Sequence, residues 1–344
     1  MNDVVELPLA EPLYSTYHFQ GPCTAVAVEN PTMRNWILNQ SMMLVCSRKF
    51  LEGRTTPEID ILKSAWILNP HLEKIHYPWK FAGGYINPII RSLLDQGWYV
   101  CFSGVDDYYV EGKSWYREKH FIHDGMICGY NRTDQTYCLY AYDSHWIYRK
   151  FWTPQSAFNR GREAAQKNGG KDGIWGIRAK AEPVPFSPAE ACRNLREYLH
   201  PPFEKYPAGE EDNVYGIMVQ PYIALYVEKL QNDSIPHERM DRRVFRLIWE
   251  HKKVMQERIA LVEKTLELEP VFSRRYAAVV SEADTLRMLY ASYHMRKRDS
   301  LLPAVHRGIL QIYDREKKIL TAFLSKAEEV LRSGTVEPAE GKDA

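Results

Sequence analysis

The second half of the chain carries long stripes of apolar residues at helical spacing, and these stripes restrict the fold more than any other feature. One stripe consists of Val244, Ile248, Met255, Ile259 and Val262. Another, near the end of the chain, consists of Leu302, Val305, Ile309, Ile312, Ile319 and Phe323. Amphipathic helices bury such stripes by packing against one another. We therefore expect an α-helical bundle domain over residues 186–335, followed by a disordered tail over residues 336–344.

The first half of the chain has a different pattern, with many aromatic residues, glycines and prolines. Short β-prone runs such as "GWYVCFSGV" and "YCLYAYD" recur, and "IWGIRAKA" alternates like a last strand. The polar segment 159–173 or the later "EPVPFSPAE" is expected to join the two halves, with Ser187 capping a helix that runs to about Leu199. These features predict an α+β domain with an antiparallel sheet over residues 1–185.

Charge and composition exclude several classes of protein. Lysine and arginine number 45 and aspartate and glutamate 44, which leaves a formal charge of +1. A chain without a concentrated basic face is not expected to bind nucleic acid. The N-terminus has neither a basic start nor an apolar run, and no stretch is long enough to span a membrane. The six cysteines have no CxxC spacing, so we expect a cytoplasmic protein with reduced thiols.

A polar loop lies between two β-prone runs, the segment "EKHFIHDGMICGY" from Glu118 to Tyr130 and the run "TYCLYAYD". This arrangement is typical of a β-hairpin. If the turn is centred on Thr133, His123 lies directly opposite Asp143, and both side chains point to the same face of the sheet. The same register pairs Gly129 with Tyr137 and Ile127 with Leu139. A carboxylate beside an imidazole fixes its tautomer and supports its protonated form, as a catalytic base requires.

The second histidine of this segment, His120, falls opposite Trp146 and just outside the strand. We therefore expect His120 to be a rim residue. A structural His123–Asp143 pair and a metal site remain as alternatives, since His145 and Asp143 could add ligands. Two histidines three residues apart on a strand lie on opposite faces, however, so we expect no metal.

A nucleophile candidate lies about a hundred residues before the hairpin, in "HFQGPCTAVAVEN". Gly21 and Pro22 break the chain, and Cys23 opens a run, residues 24–28, that is compatible with a helix. The positive end of a helix dipole favours a thiolate, and a histidine base would make that thiolate an effective acyl acceptor. The remaining cysteines are expected to be structural: Cys46, Cys101, Cys128, Cys138 and Cys192.

Residues 18–150 resemble the N-terminal domain of the butirosin-biosynthesis acyltransferase family, whose members are similar to papain-like peptidases and transglutaminases. The resemblance is carried by Cys23 after "HFQGP", by "PTMRNWILNQ", and by "KHFIHDGMICGYN" followed by "AYD". In the second half, "VYGIMVQPYIALYVEKL" and "FRLIWEHKKVMQERI" also look like relatives from thiotemplated natural-product clusters. The resemblance thus covers most of the chain, with "HFIHD" and the Gly-Tyr of its strand as the specific parts.

The resemblance implies a papain-like fold and acyl transfer from a carrier-protein thioester, through an acyl-cysteine, to an amine. Cys23 would be the nucleophile, His123 the general base and then acid, and Asp143 the orienting carboxylate. Papain-like enzymes commonly have an oxyanion-hole glutamine several residues before the cysteine, whereas here Gln20 stands only three before it. The partners would be an acyl or peptidyl carrier protein, with its phosphopantetheine-bound acyl group, and an amine acceptor. No metal or redox cofactor is implied.

Substrate contacts are expected from the aromatic and acidic stretch "DDYYVEGKSWYREKHF". Its aromatic side chains could line a dry cleft, and its carboxylates could attract a cationic amine. The candidates are Asp107, Tyr108, Trp115 and His120. Two other functions stay open: a hydrolase with the same triad, and a non-catalytic binding or scaffold protein in which the helical bundle docks a partner.

Overall fold

A computed structural model describes residues 3–26, 32–53, 55–168, 173–202, 204–205, 212–237 and 240–333. The strands are β1 (Val4–Glu6), β2 (Leu44–Ser47), β3 (Asp60–Ile61), β4 (Leu72–Pro78), β5 (Tyr99–Asp106), β6 (Ile122–Asn131), β7 (Thr136–Tyr142), β8 (Tyr148–Pro154), β9 (Gly173–Ala179) and β10 (Asn213–Tyr215). The helices are α1 (Gly21–Ala25), α2 (Thr32–Gln40), α3 (Trp79–Ala82), α4 (Ile86–Asp95), α5 (Gln155–Lys167), α6 (Pro188–Leu199), α7 (Val219–Gln231), α8 (Val244–Thr265), α9 (Val271–Arg296) and α10 (Leu302–Ser333).

The chain divides into two compact units, and both contain more than one segment. The first unit comprises residues 1–34 and 64–184, and the second comprises residues 35–63 and 185–344. The predicted boundary after residue 185 is thus close to the later division, but residues 35–63 group with the helical unit. The predicted disordered tail, residues 336–344, lies outside the described residues.

The first unit contains an antiparallel sheet in the order β4-β9-β5-β6-β7-β8, with β1 added beside β6. The predicted hairpin exists as β6 and β7, and Ile127 pairs with Leu139 as expected. The predicted pairing of Gly129 with Tyr137 is wrong, because a bulge shifts the register and Gly129 faces Cys138. Strand β1 approaches closely here, because a Cβ at position 129 would lie 2.5 Å from the Val5 carbonyl oxygen. The sequence of the hairpin alone does not reveal this approach.

Alternating side chains of the central strands build a separate core on each face of this sheet. On one face Val100 and Ile127 pack with Phe158 of α5 and with apolar residues of α4. On the other face Cys101 and Met126 pack with residues from β4, β7 and β9. The predicted polar loop over residues 159–173 is largely wrong, because α5 extends to Lys167 and buries one of its sides.

The second unit is mainly helical, as the apolar stripes predict. All five residues of the α8 stripe are buried, as are Leu302, Val305, Ile309, Ile312 and Phe323 of α10. Helix α8 packs against α9, and α10 packs against α6, α7 and α9. The predicted cap of α6 is confirmed, since the Ser187 hydroxyl accepts a hydrogen bond from the Glu190 amide. A small sheet, β10-β2-β3, completes this unit.

In the described part of the chain, no helix combines the length and the apolar character that crossing a bilayer requires.

Candidate active site

The first unit brings His123 together with Asp107, a carboxylate that sequence reasoning assigned only to substrate binding. The Nδ1 atom of His123 lies 2.8 Å from Asp107 Oδ2. Asp107 is buried, whereas the His123 side chain is 22% exposed and thus accessible. Hydrogen bonding of Nδ1–H to a carboxylate leaves Nε2 as the basic nitrogen. Among the described residues, no hydrogen bond engages that Nε2 atom.

The local backbone explains why Asp107 reaches this position. A bulge interrupts the pairing of β5 with β6 between Phe102 and Val105, and Gly104 adopts a φ of 79° there. Beyond the bulge, Val105 pairs with His123. The chain then turns, and Asp106 Oδ1 accepts hydrogen bonds from the amides of Tyr108 and Phe121. Asp107 is therefore held at the end of β5, beside the start of β6.

Asp107 has a second partner in Lys113, whose role the sequence did not reveal. Lys113 Nζ lies 3.4 Å from Asp107 Oδ1, and both side chains are buried. Burial lowers the pKa of Lys113, and the Asp107 and Asp124 carboxylates oppose this shift. Lys113 stands in a loop without a recognisable motif, so its position depends on how that loop folds.

A further histidine, His18, packs against His123. The two ring centroids are 4.2 Å apart, and Tyr142 and Tyr148 contact the other sides of His18. Burial, followed by the nearby Lys113 and His123, lowers the pKa of His18 well below 6.5. His18 is consequently neutral at physiological pH. One sequence signal points to His18, because it opens the run "HFQGPC" that also contains Cys23.

Asp143, the predicted partner of His123, lies in a different environment. It accepts hydrogen bonds from the amides of His145 and Ile147, at 2.8 and 2.9 Å, and pairs with Arg149 Nε at 2.5 Å. Burial alone would raise the pKa of Asp143, but these amides and the guanidinium outweigh it and lower the pKa. Strand β7 ends at Tyr142, so the pairing extrapolated from the hairpin does not continue to Asp143. Asp143 stabilises the turn before β8 and is not within hydrogen-bond distance of His123.

Aromatic side chains surround the accessible side of His123. Phe121 packs edge-on against it with centroids 4.5 Å apart, and Trp115 contacts Phe121. His120 stacks on Tyr108 at 4.3 Å, and its Nδ1 lies 2.7 Å from Asp106 Oδ2. The His120 side chain is 61% exposed, which agrees with the predicted rim position.

Cys23 lies in the first turn of α1, but the environment of its thiol differs from the prediction. The residue is fully buried, and Sγ accepts a hydrogen bond from Asn69 Nδ2 at 3.4 Å. Burial raises the pKa of Cys23 to about 12, although Asn69 and Lys74 act in the opposite direction. A five-residue helix does not offset this desolvation. In the described residues no hydrogen bond joins Cys23 to His123, and burial disfavours the thiolate that the position at the start of a helix predicts.

Gln20, the oxyanion-hole candidate, is buried and engaged within the same segment. Its Oε1 accepts a hydrogen bond from the Tyr17 amide, and its Nε2 donates to Ser64 Oγ at 3.0 Å. Gln20 also accepts, through its backbone carbonyl, a hydrogen bond from the Cys23 amide at 3.1 Å. In this state Gln20 therefore holds the segment that carries Cys23, and the Cys23 amide is occupied as well.

A metal centre would need three or more ligands in one place. No group of three histidine, cysteine, aspartate or glutamate residues with suitable geometry occurs over the ranges that the structure describes. His120 and His123 each contact a different aspartate. The two histidines therefore do not converge on a common point.

Comparison of the sequence with protein-family profiles and with curated proteins finds no match in either. The resemblance to the butirosin-biosynthesis family thus stays a prediction. The site consists of an imidazole oriented by a carboxylate, beside a segment that carries a cysteine.

Proposed function

We propose that this protein is an acyltransferase of the papain-like type, which moves an acyl group from a thioester to an amine. His123 is the general base, Asp107 orients it, and Cys23 is the nucleophile. The observation that carries the proposal is the 2.8 Å contact between His123 Nδ1 and Asp107 Oδ2, which leaves the accessible Nε2 to exchange protons.

The reaction has two half-reactions. His123 Nε2 takes the Cys23 thiol proton as Sγ attacks the thioester carbonyl carbon. The tetrahedral intermediate then expels the donor thiolate, which receives that proton from the imidazolium. In the second half-reaction an amine attacks the acyl-cysteine, His123 takes the amine proton, and Cys23 leaves with that proton as a thiol. The balance is one amide and one free thiol from one thioester and one amine.

The proposal requires Cys23 to reach His123 when substrate binds. The segment that must move also carries His18, whose ring already contacts His123. Gly21, two residues before Cys23, packs against Tyr148, which in turn contacts His18. A shift of this one segment would thus carry Sγ out of its contact with Asn69.

The donor we propose is an acyl or peptidyl carrier protein with a phosphopantetheine thioester, in a cytoplasmic natural-product pathway. The exposed aromatic side chains near His123 support an organic acyl group or amine in this position.

A second candidate function follows from the burial of Cys23. His123 and Asp107 could activate a water molecule or an amine directly, without a covalent intermediate. The Cys23 pKa of about 12 favours this route, because the resting thiol is a poor nucleophile. The protein would then be a hydrolase or a direct transferase with the same general base.

The test of the proposed base is thiol release from a panel of acyl-pantetheine thioesters, with and without amines. We expect His123→Gln to lower the rate about a thousandfold, as removal of a general base commonly does. His145→Gln, at an exposed histidine of the same unit, should retain the wild-type rate. An undiminished rate in His123→Gln, for a thioester that the wild type turns over, would remove both candidate functions.

A further inference from the structure

Lys113 stands out among the charged residues of the first unit because its amine is buried. The residue is 3% exposed, and Nζ makes no hydrogen bond within the part of the chain that the structure describes. Its nearest carboxylate oxygen is Asp107 Oδ1 at 3.4 Å. Buried charges are retained where they have a partner and a role, because their desolvation is costly.

The two oxygens of the Asp107 carboxylate contact different partners. Oδ1 faces Lys113 Nζ, and Oδ2 faces His123 Nδ1 at 2.8 Å. A carboxylate that contacts only an imidazole can rotate about its last bond, whereas one with partners on both oxygens has a fixed plane. That plane determines the direction in which the His123 ring points.

We propose that Lys113 is a positioning residue for His123: it holds the Asp107 carboxylate in one orientation and offsets its negative charge beside the imidazole. This inference deepens the proposed function and rests on it for the activity readout alone. Lys113 touches neither the reacting atoms nor the substrate, so it acts through Asp107.

The charges around Lys113 and Asp107 determine whether the pKa of His123 rises or falls when Lys113 is replaced. Asp107 and Asp124 lie near the Lys113 amine, and His18 faces both Lys113 and His123. His18 is neutral, so Lys113 is the cation that offsets the carboxylates at this point. Replacing Lys113 by a neutral residue leaves the negative charge of Asp107 uncompensated. The imidazolium form of His123 is then stabilised, and its pKa rises.

The experiment is a proton NMR titration of the His123 ring, assigned with His123→Gln, in the wild type and in three Lys113 variants. We expect Lys113→Met and Lys113→Gln to raise the His123 pKa by about one pH unit, the size of shift that a nearby charge commonly causes. Lys113→Arg keeps the charge and should stay within about 0.3 pH unit of the wild type. Lys80→Met, at an exposed lysine of the same unit, is the matched control and should cause no shift.

An unchanged His123 pKa in both neutral variants would overturn the inference, as would an equal shift in Lys113→Arg and Lys113→Met. If the neutral variants do not fold, the wild type supplies the test through the Lys113 Cε resonance in lysine-labelled protein. A charged amine at pH 7 is the expected result, and a neutral one would overturn the proposal.

These titrations need no substrate, so they are independent of the proposed acyl transfer. For a thioester that is turned over, the acid limb of the rate profile should move to higher pH in Lys113→Met by the same amount as the His123 pKa.

Discussion

Two aspartates could orient His123, and the backbone around each decides which one does. Asp143 follows the end of β7, where two turn amides bond its Oδ1 and Arg149 forms an ion pair with its Oδ2. Asp107 follows the bulge of β5, which turns the chain toward His123. Chemically equivalent side chains thus have different roles, because one carboxylate faces its own turn and the other faces an imidazole.

The two aspartates should respond differently to the same substitution. We expect Asp107→Asn to lower the rate of thioester turnover about 10²- to 10⁴-fold, because an amide favours the wrong imidazole tautomer. Asp143→Asn should change the rate only a few-fold but lower the free energy of unfolding by about 1–3 kcal/mol, because it weakens the turn before β8. Steady-state kinetics and urea unfolding of the two variants check this. The reverse pattern of rates would restore Asp143 as the orienting carboxylate.

The buried thiol of Cys23 should be slow to react in the absence of substrate. With a pKa of about 12, the thiolate fraction at pH 8 is roughly a thousand times smaller than that of a thiol with an ordinary pKa. We therefore expect iodoacetamide to modify Cys23 at least a thousandfold more slowly than free cysteine, as followed by peptide mass spectrometry. A non-hydrolysable thioester analogue should accelerate the modification if binding moves the segment. Fast alkylation of the free protein would contradict the burial seen here.

At the scale of the elements, the site depends on how closely α5 packs against the end of β5. Gly161 lies in α5, and a Cβ at this position would be 2.8 Å from the Asp106 carbonyl oxygen and 2.9 Å from a Val105 side-chain carbon. Asp106 immediately precedes the carboxylate that orients His123. The absence of a side chain at Gly161 therefore permits the approach that positions the end of β5.

Gly161→Ala should destabilise the protein, although alanine is normally favoured over glycine inside a helix by about 1 kcal/mol. We expect a loss of about 1–3 kcal/mol in the free energy of unfolding, because the new methyl group meets backbone that cannot retreat without moving β5. Gly84→Ala is the matched control, since a Cβ there meets nothing within 4 Å. Urea unfolding of both variants measures the difference. A stabilised Gly161→Ala protein would show that the helix is free to move away.

The elements also show which parts of the structure the sequence could predict. The stripes of α8 and α10 and the cap of α6 are local patterns, and they gave the helices directly. Register near the middle of the hairpin was likewise predictable, down to Ile127 facing Leu139. The bulge between Ile127 and Gly129 was not, because nothing in the local pattern of the hairpin marks it. The role of Asp107 was missed for the same reason, since only the bulge in β5 turns it toward His123.

At the scale of the whole molecule, each unit contains a buried histidine with a depressed pKa. His18 is the one in the first unit. In the second unit, burial and then Lys252 lower the pKa of His251 well below 6.5, and its Nε2–H donates to the Met42 carbonyl oxygen at 2.8 Å. In the unfolded chain both histidines would have a pKa near 6.5. Below that pH the unfolded state binds more protons than the folded state, so acid favours unfolding.

We expect the free energy of unfolding to fall as the pH drops from 6.5 toward the folded pKa values. Each histidine contributes a slope of up to about 1.4 kcal/mol per pH unit, and its contribution is fully present above pH 6.5. Urea unfolding between pH 5 and 7.5 measures this slope. His251→Gln should reduce the slope for the second unit, whereas His145→Gln, at an exposed site, should leave it unchanged. A slope that His251→Gln does not alter would assign the acid sensitivity to other groups.

The proposed function of the whole molecule depends on one covalent intermediate, an acyl group on Cys23. Intact-mass spectrometry after mixing with acyl-pantetheine thioesters detects this intermediate directly. We expect a mass increase equal to one acyl group on the wild type, none on Cys23→Ala, and loss of the adduct when an amine is added. Turnover of a thioester by Cys23→Ala at the wild-type rate, with no adduct on either protein, would contradict it. That result would leave His123 and Asp107 as a base that acts directly on water or an amine.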